Sequence, residues 1–167
     1  MSAPTSGRPG GGRVAGRLAE LGLVLPPVAA PVAAYVPAVL DGDRVWTSGQ
    51  LPFADGSLAV TGKVGAGEGL VSPEQAKEQA RICALNALAA VASVVGDLDR
   101  IQRVVKLVGF VASAPEFTGQ PGVVNGASEL LGEVLGEAGV HARSAVGVAA
   151  LPLDAPVEVE IVVALRR

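Results

Sequence analysis

Arg143 and Glu158, near the end of the chain, carry the side chains best suited to chemistry. Arg143 opens an apolar, β-favouring run, where a guanidinium can offer a small carboxylate a planar two-pronged grip that lysine reproduces poorly. In the last such run Val157, Val159, Ile161 and Val163 alternate with Glu158, Glu160 and Val162, so two carboxylates share one strand face. The ordinary reading of that face is the solvated side of an antiparallel sheet, which suits Glu160; the ordinary reading of Arg143 is a surface ion pair. The chain has one histidine, His141, and one cysteine, Cys83, so a zinc site or a Cys-His or Ser-His-Asp centre would have to use every such residue. No metal is expected, and the vocabulary left is carboxylate, arginine, hydroxyl and backbone.

The separation of the two residues depends on how their strands pair. If 144–150 and 157–165 form a hairpin across the connection 151–156, Ala150 faces Val157 and Glu158 lies near Ala149. Arg143 is then six positions along, roughly 20 Å away at about 3.3 Å per residue. One small ligand cannot span that gap within a chain, so a shared site would need a subunit interface.

The elements upstream must carry these strands. Residues 35–40 and 44–48 are β-favouring runs around Asp41-Gly42-Asp43, which reads as a hairpin. A short strand is expected over 58–64, before the loop Gly65-Ala66-Gly67-Glu68-Gly69, which lacks the Gly-Lys-Ser/Thr of a phosphate cradle. Ser72-Pro73-Glu74-Gln75 starts a helix whose apolar positions from Ala76 to Val95, Cys83 among them as an inert buried thiol, follow a 3.6 period and end at Gly96. A strand over 101–111 follows, in which Gly109 marks a bulge or a close backbone approach, then a second helix over 121–138 weakened by Gly126, Gly132 and Gly136. Strands, helix, strand, helix, strands imply an α+β fold with two helices on one face of an antiparallel-rich mixed sheet.

Composition bounds the rest. At 167 residues one domain is expected, and half the residues are hydrophobic with few aromatics, so a core of small side chains would gain from oligomerisation. Net charge is -3 and no Lys/Arg run occurs, which argues against nucleic-acid partners. Apolar runs are broken before the roughly 18 residues of a membrane span, and no basic-apolar-small leader pattern opens the chain; the expectation is no membrane and a cytoplasmic location. Residues 1–12 read as a disordered Gly/Pro/Ser tail, and 13–34 as an extension with a helical pattern over 14–21 and a proline-spaced stretch draped over the surface. Trp46 and Phe110 are expected in the core or an interface, and His141 in a loop beside Arg143.

Ala142-Arg143-Ser144, Val146, Val148-Ala149, Leu151-Pro152 and Val157-Glu158-Val159-Glu160 together resemble the C-terminal signature of the RidA/YjgF family. Tyr35, Ser48-Gly49-Gln50 with Pro52, and Val124-Asn125 match at the expected places, so the resemblance spans 35–167. It implies a chorismate-mutase-like subunit, a homotrimer with sheets turned inward and ligand clefts between subunits. It further implies hydrolysis of a reactive 2-enamine or 2-imino acid to a 2-oxo acid and ammonia, without a cofactor. Arg143 would grip the substrate carboxylate and Glu158 would hold or activate the attacking water. Tyr35, Ser48, Gly49, Asn125 and Ala145 would line the cleft. Ala145 stands where many deaminating members carry cysteine, and the segment before Tyr35 resembles a longer branch of the family. The alternatives are a non-catalytic module binding a 2-oxo acid or similar carboxylate and, more weakly given the charge, an endoribonuclease.

Overall fold

A computed structural model describes residues 12–28 and 34–167; the expected tail falls outside them except for Gly12. Helix α1 (Arg13–Glu20) is followed by the hairpin β1 (Ala38–Asp41) and β2 (Arg44–Thr47), with Gly42 in the left-handed conformation its turn requires. The strand expected over 58–64 is not one. Only Ser57–Leu58 (β4) pairs, with Phe53–Ala54 (β3), as a separate small ribbon, while Val64 makes lone bridges to Val71 and Ser113. Glycines at 62, 65, 67 and 69 keep the intervening chain from a regular ladder.

Helix α2 (Pro73–Val95) begins as its residues dictate. Ser72 Oγ accepts from the Gln75 amide at 3.2 Å, and Gln75 Oε1 accepts from the Ser72 amide at 3.3 Å. Its length and composition would pass for a membrane span, yet Ala76, Ala80, Cys83, Ala84, Ala87, Leu88 and Val91 are buried in the core. Strand β5 (Ile101–Ala112) leads into α3 (Gln120–Leu135), then β6 (Ala142–Val148) and β7 (Val157–Leu165). Packing explains Gly126 of α3 and Gly109 of β5, whereas Gly132 would meet open space and Gly136 closes α3 at a positive φ. A Cβ on Gly126 would overlap the Lys77 carbonyl of α2, and one on Gly109 would press into Val124 of α3, so Gly109 marks a close approach and not a bulge. Arg81–Glu133 at 2.7 Å and Lys77–Glu129 at 3.0 Å bridge the two helices at the surface.

The five-stranded sheet has the order β1-β2-β7-β5-β6, antiparallel except for β5 and β6. The expected hairpin between the last two strands therefore does not form. The twelve-residue β5 lies between them, α3 is the crossover that makes β6 parallel to β5, and residues 151–156 carry the chain past the end of β5 to its other side. The helical pattern expected over 14–21 forms as α1, a third helix beside the two expected on the sheet. α1 buries Val14 and Leu18, Arg17 Nε donates to the Glu133 carbonyl of α3 at 2.8 Å, and Asp99 caps its N-terminus by accepting from the Arg13 and Val14 amides. The helices cover one sheet face. The other leaves Val39, Trp46 and Val146 exposed, so Trp46, 53% accessible, is outside the core of this chain.

Candidate active site

Register assigns each candidate to a face. Arg143 is level with Leu107 and Ile161, both buried beneath the helices, and its side chain turns to α3. There Nη1 donates to Asn125 Oδ1 at 2.8 Å and to Ser128 Oγ at 3.2 Å, and Nη2 donates to the Pro121 carbonyl at 3.2 Å. Three of the five guanidinium hydrogens are thereby placed, leaving Nε–H and one Nη2–H without a partner among the described residues. Ala145 follows on the same face of β6, next to Gly109. Arg143, Asn125 and Ala145 thus form one half-site along the β6 edge.

Glu158 belongs to the opposite face, level with Phe110, with Glu160 two positions on. Its surroundings follow from how β2 leaves the ladder. After Trp46 the chain departs from β7, Thr47 Oγ1 accepts from the Ile161 amide at 3.0 Å, and pairing resumes where Gln50 and Val159 exchange backbone bonds. The arc at Ser48 and Gly49 lies over Glu158 so closely that a Cβ on Gly49 would overlap Oε1. Ser48 Oγ donates to the Val36 carbonyl at 2.6 Å, which anchors the segment beside Tyr35, itself 47% accessible. Burial first, and then the charge of Glu160, push the Glu158 carboxyl above the ordinary glutamate range. Burial, reinforced by the Glu158 charge, also raises the Cys83 thiol, which donates to the Val157 carbonyl.

The candidates therefore fall into two groups within one chain: Glu158, Gly49 and Ser48 at the β2–β7 seam, and Arg143, Asn125 and Ala145 at the β6 edge. Arg143 and Glu158 lie on opposite faces, three residues apart in level and two strands apart, about 14 Å between Cα atoms at standard spacings.

Several site features were not read from the sequence. Ser128 bonds both Arg143 and His141, and its only sequence signal is a place one helical turn after Asn125. Arg44, Arg103, Arg166 and Arg167 line one groove of about 990 Å³ at the far end of the sheet, with Asp43 paired to Arg44. These arginines are scattered along the chain, so no charge run announces them. Among the described residues no three of His, Cys, Asp and Glu gather as metal ligands.

Comparison with known proteins agrees with this architecture. Residues 15–165 match the family described as "YjgF/chorismate_mutase-like, putative endoribonuclease". Protein TCP17 of Trypanosoma cruzi is 48% identical over 93% of this chain and 96% of its own. The structure of a "putative endoribonuclease" from Shewanella oneidensis MR-1 superposes with a TM-score of 0.86 at 33% identity, over 91% of this chain and 99% of that one. E. coli TdcF, solved with bound serine, gives 0.57 at 26% identity, over 86% and 94%. The chain belongs to the YjgF/chorismate-mutase-like family.

Proposed function

We propose that this protein hydrolyses reactive 2-enamine or 2-imino acids to 2-oxo acids and ammonia, in clefts between the subunits of a homotrimer. The observation that carries the reading is the division of the site into two complementary halves, one with a guanidinium fork and one with a half-buried carboxylate, on opposite faces of one sheet. Neither half is complete alone, and a ring of identical chains can set the β6 edge of one against the β2–β7 seam of the next. The apolar open face carrying Val39, Trp46 and Val146 supplies the surface such a ring would bury.

In the cleft, Nε–H and the remaining Nη2–H of Arg143 hold the substrate carboxylate and fix the C=N carbon. Glu158 accepts a proton from water as its oxygen bonds to that carbon, giving a carbinolamine. The proton then passes to the amine nitrogen, the C–N bond breaks as the carbinolamine hydroxyl gives its proton to Glu158, and the departing ammonia takes that proton up as ammonium, leaving the 2-oxo acid and the free carboxylate. A carboxyl held above its ordinary range by burial suits both transfers. An iminium carbon is already electrophilic, so orientation and one water are enough. The serine bound to TdcF is likewise a small compound bearing a carboxylate. The test generates 2-iminobutanoate in situ and follows its loss by semicarbazide trapping; decay at the buffer rate with both wild type and Arg143→Ala would remove this reading. Calorimetric binding of 2-oxobutanoate without turnover would put a carboxylate-binding module in its place.

The endoribonuclease named for the Shewanella relative is a second reading, favoured by the arginine groove at the far end of the sheet. It ranks lower because that groove has no histidine and its one carboxylate, Asp43, is paired with Arg44. Cleavage of single-stranded RNA that disappears with Arg103→Ala and survives Arg143→Ala would favour it.

A further inference from the structure

We propose that His141, as its Nδ1–H tautomer, positions the guanidinium of Arg143 through Ser128; this rests on the reading of Arg143 as a carboxylate clamp. The direction of every hydrogen bond in the connection follows from its far end. Gly139 packs so tightly on α3 that a Cβ there would overlap the Leu131 carbonyl, which fixes its backbone. His141 Nδ1 lies against the Gly139 carbonyl, and a carbonyl only accepts, so Nδ1 carries the proton. Nε2 of a neutral ring is then a lone pair. Ser128 Oγ lies 2.9 Å from it and must donate, which commits the only hydroxyl hydrogen. What Ser128 presents to Arg143 Nη1, 3.2 Å away, is therefore a lone pair, and Nη1 donates to it.

The consequence concerns the rest of the guanidinium. Nη1 has two hydrogens, and with both held by Ser128 and Asn125 the plane of the group is set on the α3 side. Nε–H and one Nη2–H then face outward before any ligand arrives. Without the Nε2 acceptor, the Ser128 hydroxyl is free to swing to a carbonyl of its own helix, the usual alternative for a helical serine. Arg143 then loses one of its two Nη1 anchors, keeps Asn125 and the Pro121 carbonyl, and relies on the ligand for the rest of its order. His141 touches no substrate in this scheme. It acts through Ser128 on the geometry of binding.

The test has an arm that needs no activity. Nitrogen NMR of the full-length labelled protein is expected to give a His141 ring protonated at Nδ1 and bare at Nε2, and separate, slowly exchanging Arg143 Nη signals. Those signals are expected to collapse in His141→Leu and Ser128→Ala and to persist in His141→Gln, whose side-chain oxygen can replace the Nε2 acceptor. In the kinetic arm, KM for 2-iminobutanoate is expected to rise about 3- to 10-fold in His141→Leu and Ser128→Ala, with kcat within about twofold and KM recovered in His141→Gln. A ring protonated at Nε2 with bare Nδ1, or Arg143 signals unchanged in both His141→Leu and Ser128→Ala, would overturn the proposal. Absence of wild-type turnover would remove the deaminase reading and leave the NMR arm to decide the positioning role.

Discussion

Arg143 and Glu158 project from opposite faces of the same sheet, with β5 between their strands. Arg143 is committed to α3 through Asn125, Ser128 and Pro121, while Glu158 lies under the arc at Ser48 and Gly49. No rotamer change brings the two together within a chain. The hairpin expected between β6 and β7 does not exist, but the two residues are still apart within a chain, and that separation supports the proposal of a site shared between subunits.

Glu158→Gln removes the group assigned to proton transfer and is expected to lower deaminase kcat by about 100-fold or more. The same change is expected to raise Tm at pH 7. The fold holds the carboxyl above its ordinary range, so the ionised form costs stability as pH rises through the folded pKa, and that cost is absent at low pH. The gain in Tm should therefore shrink as pH falls below the carboxylate range, which a thermal-melt series at several pH values will show.

Gly49→Ala places a methyl group where Glu158 Oε1 now lies. The chain is expected to fold with a loss of about 1–3 kcal/mol, measured by urea unfolding, while the carboxylate is displaced and activity drops by about tenfold or more. Gly49 does not have a positive φ, so its loss is assigned to the collision with Glu158; Gly56→Ala, at a positive φ with open space for the Cβ, shows what backbone strain alone costs.

Arg143→Lys keeps the charge and loses the fork. KM for the imino acid is expected to rise by roughly 10- to 100-fold, the range of a lost charge-assisted hydrogen bond, with a smaller change in kcat. Steady-state kinetics with in-situ substrate reads both.

Asp99 clasps the N-terminal extension. Its carboxylate accepts from the amides of Val14 and Arg13, and these bonds, with the nearby charges of Arg13 and Arg166, hold its pKa below the usual range. Asp99→Ala is expected to free α1 at a cost of about 0.5–2 kcal/mol, seen as faster amide exchange across residues 13–20. Because the folded pKa is lowered, the clasp is intact above the ordinary aspartate range and loosens as pH falls through the folded value.

Much of this fold is written in local residue types. Ser72-Pro73 with Gln75, the turn at Asp41-Gly42-Asp43 and the alternation from Val157 to Leu165 each specify an element through contacts a few residues long. Strand order is different, because nothing within residues 142–165 says that β5 will lie between β6 and β7; that choice depends on α3 packing Val124 onto Gly109. The lone bridges of Val64 were missed for the same reason, since their partners lie at Val71 and Ser113. At the site, Arg143 and Glu158 were legible as residue types, and Asn125 by resemblance. Ser128 and the arc over Glu158 were not, because one is an ordinary helical serine by type and the other depends on Thr47 replacing a backbone group in the ladder.

The central claim is that one working site takes Arg143 from one subunit and Glu158 from its neighbour. Arg143→Ala and Glu158→Gln, each purified inactive, can be mixed, dissociated and reassembled, and assayed with 2-iminobutanoate. Recovery of about a quarter of wild-type activity is predicted, since random mixing in a closed ring restores one cleft in four with both intact residues. A mixture that assembles into hetero-oligomers and stays as inactive as its two parents would contradict the account.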